Sequence, residues 1–180
     1  LKIFQWPKSW PDRQPLVSLA AFTLLDNHDH NIHLEIKDTG LSKFMQKTGV
    51  SRARYYNERY NEKGGLFQGP YKVCVIDSDR YFHWVVPYVM CKNTFEMHPR
   101  GLKWASENFE EAWKWGIQYP FSSLGEYGGT RNSPIVDTIE LKKILGTPME
   151  FKELCKDMIL GSKKTEMEQV ITKMGNSFTF

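Results

Sequence analysis

Asp26-Asn27-His28-Asp29-His30-Asn31-Ile32-His33-Leu34-Glu35-Ile36, written DNHDHNIHLEI, packs three of the chain's five histidines into six residues. From His28 to Lys37 the pattern alternates with period two, as in a half-buried strand. His28, His30, Ile32, Leu34 and Ile36 then share one face, and Asp29, Asn31, His33 and Glu35 share the other. The aliphatic residues make the first face the buried one. Upstream, Leu16–Leu25 (LVSLAAFTLL) is an apolar run of strand length, and Asp26-Asn27 supplies turn chemistry between the two runs. The expectation is a β-hairpin. Two histidines one residue apart on a strand point their rings the same way and can bind one divalent ion. The plainer reading is a polar turn with satisfied imidazoles.

Outward from the hairpin, Leu41–Glu62 reads as a helix with Leu41, Phe44, Met45, Thr48, Tyr55 and Tyr56 near one stripe. Lys43, Lys47, Arg52, Arg54, Arg59 and Lys63 stand against Glu58 and Glu62, the strongest local positive surplus in the chain. Such a face tracks phosphates or is simply solvated, and the tyrosines among it can stack on unpaired bases. Gly64-Gly65 ends the helix. Tyr71–Ile76 (YKVCVI) reads as a strand. Ser78 or Asp79 can cap a helix running toward Asn93, and Pro87 should kink or restart it just before Tyr88. Tyr88 falls at helical spacing from Tyr81 and Val85, which on its own describes a core aromatic. From Pro99 to Gly129 the chain reads as loop and short helix, with Trp113, Trp115 and Tyr119 packing it onto the domain. A last helix is expected over roughly Thr147–Leu160, then a polar tail.

Composition sets the bounds. The chain has 180 residues, 41% hydrophobic and 25% charged, as in a soluble globule, with a net charge of +3. Mild overall basicity leaves any electrostatic function to local clusters. Aromatics reach 14%, including six Trp. Cys74, Cys91 and Cys155 lie far apart, without metal spacing, and their odd number argues against a disulfide framework. That fits a reducing, cytoplasmic setting. No run has membrane-spanning length and no signal peptide is evident.

Five motifs in order resemble the REP-associated and related single-tyrosine transposases of the HUH superfamily. They are Asn27-His28-Asp29-His30, the helix opening Gly40-Leu41-Ser42-Lys43-Phe44-Met45-Gln46-Lys47 with Tyr55-Tyr56-Asn57, the loop Leu66–Lys72, the segment Tyr88-Val89-Met90-Cys91-Lys92-Asn93, and Tyr119-Pro120-Phe121-Ser122-Ser123. The resemblance implies an α+β domain over residues 1–130, built on a ferredoxin-like antiparallel sheet with helices packed on one face. A helical extension over residues 131–180 follows. It further implies a metal-dependent transposase that cleaves and rejoins single-stranded or hairpin DNA through a 5′-phosphotyrosine. Tyr88 would be the nucleophile, with Tyr81 and Tyr71 its nearest competitors. His28 and His30 would hold Mg²⁺ or Mn²⁺, and the working unit would be a homodimer. Lys43, Lys47, Arg52, Arg54, Arg59, Lys72 and Lys92 are the candidate DNA contacts. Gln68 and Asn93 are candidates for the metal or phosphate side.

The chain departs from the family at four points. Asp29 replaces a hydrophobic residue between the histidines, and Pro70 replaces the loop arginine. Lys92 stands where a polar metal-side residue is usual. The family's opening strand and helix have no counterpart and the chain begins at Leu1, so either a fragment or a first strand supplied otherwise is expected, with an open-edged sheet. These departures keep a second reading open: a hairpin DNA- or RNA-binding protein that no longer cuts.

Overall fold

The computed structural model describes residues 8, 9, 12 and 14–161, so most of the expected lead-in and nearly all of the tail lie outside the described residues. The fold is α+β. Strand β1 (Val17–Leu24) pairs antiparallel with β2 (Asp29–Glu35), which is the expected hairpin. The register slips between Leu19 and Ala21, so Ala20 is an extra, bulged residue. Its carbonyl accepts from the Tyr127 hydroxyl at 2.8 Å, which satisfies a buried group that the ladder has left over.

Helix α1 (Gly40–Tyr60) opens where the chain passes Leu16 closely. A Cβ at Gly40 would overlap the Leu16 carbonyl oxygen, so only glycine fits. The expected stripe is partly realised: Leu41, Phe44, Met45 and Thr48 are half-buried, whereas Tyr55, Tyr56 and Tyr60 are exposed. Helix α2 (Asp79–Pro87) begins as its sequence indicates, with Ser78 Oγ accepting from the Tyr81 N–H. Beyond Pro87 the helix continues in a wider register. Tyr88–Lys92 form a π-helical segment and Asn93–Glu96 form α3.

Short helices α4 (Gly101–Glu107), α5 (Phe109–Gly116) and α6 (Leu124–Tyr127) lead to α7 (Ile139–Leu145) and α8 (Pro148–Leu160). A capping box joins Thr147 and Glu150 at the start of α8. One core unites the hairpin (Ala20, Ala21, Ile32), the π segment and its flanks (Val86, Met90, Phe95), and the late helices (Leu141, Phe151, Met158).

Three expectations are corrected. Residues 71–76 form no ladder, although burial alternates along them: Tyr71, Val73 and Val75 are exposed, and Lys72, Cys74 and Ile76 half-buried. Packing one side satisfies the alternation, but a strand also needs a partner edge, and none pairs with it among the described residues. Ile36 lies past the end of β2 and is 51% exposed, although its N–H still donates to Leu16 O. Helices also cover both faces of the hairpin. Phe44 of α1 meets His33 at 5.1 Å between ring centroids, and Tyr88 meets His30 on the other side.

Candidate active site

Pro87 has no N–H to donate, and the Tyr88 N–H is shared between the Trp84 and Val85 carbonyls. Five residues on, the Asn93 N–H reaches back to the Tyr88 carbonyl, which defines the π register. Two carbonyls inside this wide turn accept from hydroxyl donors. Thr23 Oγ1 donates to Val89 O at 2.6 Å, and Thr94 Oγ1 to Met90 O. Ser122 joins them, its Oγ lying 2.7 Å from Thr94 Oγ1 and 3.2 Å from Thr23 Oγ1. Ser123 Oγ accepts from the Phe22 N–H at 3.0 Å. Thr23, Thr94, Ser122 and Ser123 are all fully buried. The Ser122-Ser123 pair therefore ties β1 to the segment that displays Tyr88.

Facing outward from that segment, Tyr88 is half-buried beside His30, with ring centroids 6.2 Å apart and planes nearly perpendicular. His28 stands 5.0 Å from His30, also edge to face. The two imidazoles share a face as the alternation requires, and His33 is on the other. Lys92 Nζ lies 4.8 Å from the Tyr88 ring centroid and pairs with the Glu96 carboxylate one turn further on. Burial first, then the neighbouring His28 and Lys92, push the His30 pKa down to about 4, against Asp29 and Glu96. His30 is thus neutral near pH 7 and keeps a lone pair.

His28 Nδ1 lies 2.6 Å from Asn27 Oδ1. An amide oxygen only accepts, so Nδ1 carries the proton and Nε2 is left as the ligand atom. Two imidazoles on one face would suit a divalent ion such as Mn²⁺. No group of three or more His, Cys, Asp or Glu side chains arranged to hold a metal occurs among the described residues.

The competing tyrosines are engaged elsewhere. The Tyr81 hydroxyl donates to Cys74 Sγ at 3.2 Å, and Tyr71 pairs with Ser42 Oγ of α1 at 3.0 Å. Of the other predicted residues, Asn93 is 1% exposed with its Nδ2 unpartnered, so it underlies the site rather than facing it. Gln68 is exposed on the loop after α1, and Lys72 is half-buried. Lys43, Lys47, Arg54 and Arg59 are exposed on α1, across the hairpin from Tyr88. Arg52 reaches Asp29 at 3.7 Å, so Asp29 belongs to the α1 side and is no neighbour of the Tyr88 hydroxyl.

Sequence reasoning missed Glu96 and the hydroxyl network. Only the i, i+4 spacing of Lys92 and Glu96 signals the ion pair in advance. No protein-family model, curated protein or solved structure matches the chain. No helix among the described residues is long and apolar enough to cross a membrane.

Proposed function

We propose that this chain cleaves and rejoins single-stranded DNA at hairpin-flanked sites, as the single-tyrosine transposases do. The observation that carries the reading is the convergence of Tyr88, His28, His30 and Lys92 from two separate elements on one face of the hairpin. In this reading β1 and β2 belong to a ferredoxin-like sheet, and the working unit is a cytoplasmic homodimer. Tyr88 attacks a backbone phosphate through its phenolic oxygen. The new oxygen–phosphorus bond forms as the 3′ oxygen departs, leaving a 5′-phosphotyrosine and a free 3′-hydroxyl. Rejoining is the reverse attack by a 3′-hydroxyl. Lys92 places positive charge beside the ring, where the phenolate and the phosphate gather negative charge. His28 and His30 would hold Mg²⁺ or Mn²⁺, which when bound polarises the phosphate.

The test is incubation of labelled hairpin DNA with the protein and Mn²⁺ or Mg²⁺, read as a covalent protein–DNA adduct on a denaturing gel. The unmodified chain should form it. Tyr88→Phe should abolish it while hairpin affinity stays within a few-fold, because the ring still packs. His28→Ala should lose most of it. Retention of the adduct in Tyr88→Phe would move the nucleophile elsewhere.

A second reading has its own support: the Lys92–Glu96 pair offsets the positive charge beside Tyr88, as in a relative that binds DNA or RNA hairpins without cutting. Tight hairpin binding with no adduct under either ion would establish that reading.

A further inference from the structure

Five aromatic rings run in contact across one surface, and none of them is buried. His98 stacks on Trp104 with centroids 4.6 Å apart and planes 14° apart. His98 also meets Trp115 edge to face at 4.7 Å, and Trp115 stacks on Tyr119 at 5.1 Å. Tyr119 then meets Phe121 at 5.7 Å. Phe121 is 53% exposed, and the other four are half-buried. Core packing accounts for Phe95, Phe109, Trp113 and Phe151, which are buried and touch one another. It does not account for a second aromatic run left open to water.

Both ends of the run attach to elements that carry the candidate site. His98 follows directly on α3, which bears Glu96, and its N–H donates to Phe95 O. At the other end Phe121 O accepts from the Leu24 N–H at 2.8 Å, and the next residue, Leu25, donates to His28 O. The charge beside it is mixed, since Glu107, Glu110 and Glu111 are exposed on the same two helices as Lys103 and Lys114. The Arg100 guanidinium lies 4.2 Å from the Trp104 ring centroid, and Lys103 and Lys114 are exposed on the helices that carry Trp104 and Trp115. Against these, Asp26 acts on Tyr119. Flat aromatic faces, with the Arg100 guanidinium against one of them and the proposed phosphate site adjoining, match unpaired nucleotides, since every base has a face to stack.

We infer that the His98–Trp104–Trp115–Tyr119–Phe121 ladder is a stacking platform for unpaired bases of the DNA strand that reaches Tyr88. The identity of that strand rests on the proposed function; the platform itself can be tested without cleavage. Fluorescence anisotropy compares a labelled, unstructured oligo(dT) with an abasic oligonucleotide of equal length and charge. The unmodified chain should bind oligo(dT) about tenfold tighter, since each stacked base contributes measurably. Phe121→Ser, at the most exposed ring, should remove at least half of that ratio, and Trp104→Leu a smaller part, since His98 and Arg100 already lie against that ring, with abasic binding unchanged in both. Equal affinity for the two strands, or an unchanged ratio in Phe121→Ser, overturns the platform. Because Phe121 is largely in water, that variant reports on stacking even if Trp104→Leu unfolds. Discrimination between the strands without a hairpin adduct would sink the nuclease and leave the platform standing. An adduct without discrimination would sink the platform alone.

Discussion

Thr23 sits near the end of β1, fully buried in a run that apart from Ser18 reads as aliphatic and aromatic. Its hydroxyl meets Val89 O and Ser122 Oγ, so a single side chain couples the hairpin to the π segment below Tyr88. Thr23→Val keeps the shape and removes the donor. A buried carbonyl then loses a partner, which costs about 1–3 kcal/mol. Chemical denaturation should show that loss, and adduct formation should fall more than hairpin affinity does. Equal stability in the variant would mean that the wide turn holds itself without the hydroxyl. Sequence shows a threonine in a strand; it does not show which carbonyl that threonine serves. Val89 O lies in the wide-turned segment, 66 residues along the chain from Thr23.

At the scale of elements, Arg131 fastens the segment that follows α5. It donates to both Glu126 oxygens, at 2.9 and 2.8 Å, to Tyr119 O at 3.1 Å, and to Ser122 O. The Glu126 side chain is only 2% exposed. Arg131→Ala would strand that carboxylate away from water, which costs about 3–5 kcal/mol. A thermal melt should record the drop, and Arg131→Lys should recover little, since an ammonium lacks the planar fork. If Arg131→Ala melts like the unmodified chain, water reaches Glu126 and the clamp is dispensable. The two serines and two of the ladder rings lie in the clamped segment, so one ion pair supports both. The family resemblance singled out Tyr119–Ser123 as a motif. The arginine that secures it comes 12 residues after Tyr119, a separation at which no periodicity links them.

Across the whole molecule, α1 stands out from the core, with Gly40 its single buried residue. An open groove along it is lined by Lys47, Arg54, Tyr55 and Glu58 among others. Arg52 is engaged with Asp29, so under the proposed function Lys47, Arg54 and Arg59 are the better candidates for DNA contact. Each phosphate contact contributes about 0.7–0.9 to the slope of log affinity against log salt. The Lys47/Arg54/Arg59→Ala triple variant should therefore flatten the slope for hairpin DNA by about two. An unchanged slope would make this surface a solvated face only, and would leave Lys92, Arg100 and their neighbours to hold the strand.

What the sequence determined by itself is the set of features closed within a few residues. The Asp26-Asn27 turn between two apolar runs makes the hairpin, the Ser78 cap and Pro87 delimit α2, and Thr147 with Glu150 opens α8. Period two also placed His28 and His30 on one face and His33 on the other. Tertiary structure alone decided the rest. Tyr88 meets His30 because a π turn, held by hydroxyls from β1 and from Ser122, rotates it there. Residues 71–76 carry every local mark of a strand yet join no ladder, since a hydrogen-bonded edge must be supplied by another part of a fold. Side-chain alternation is a property of one segment, whereas a backbone partner is a property of two.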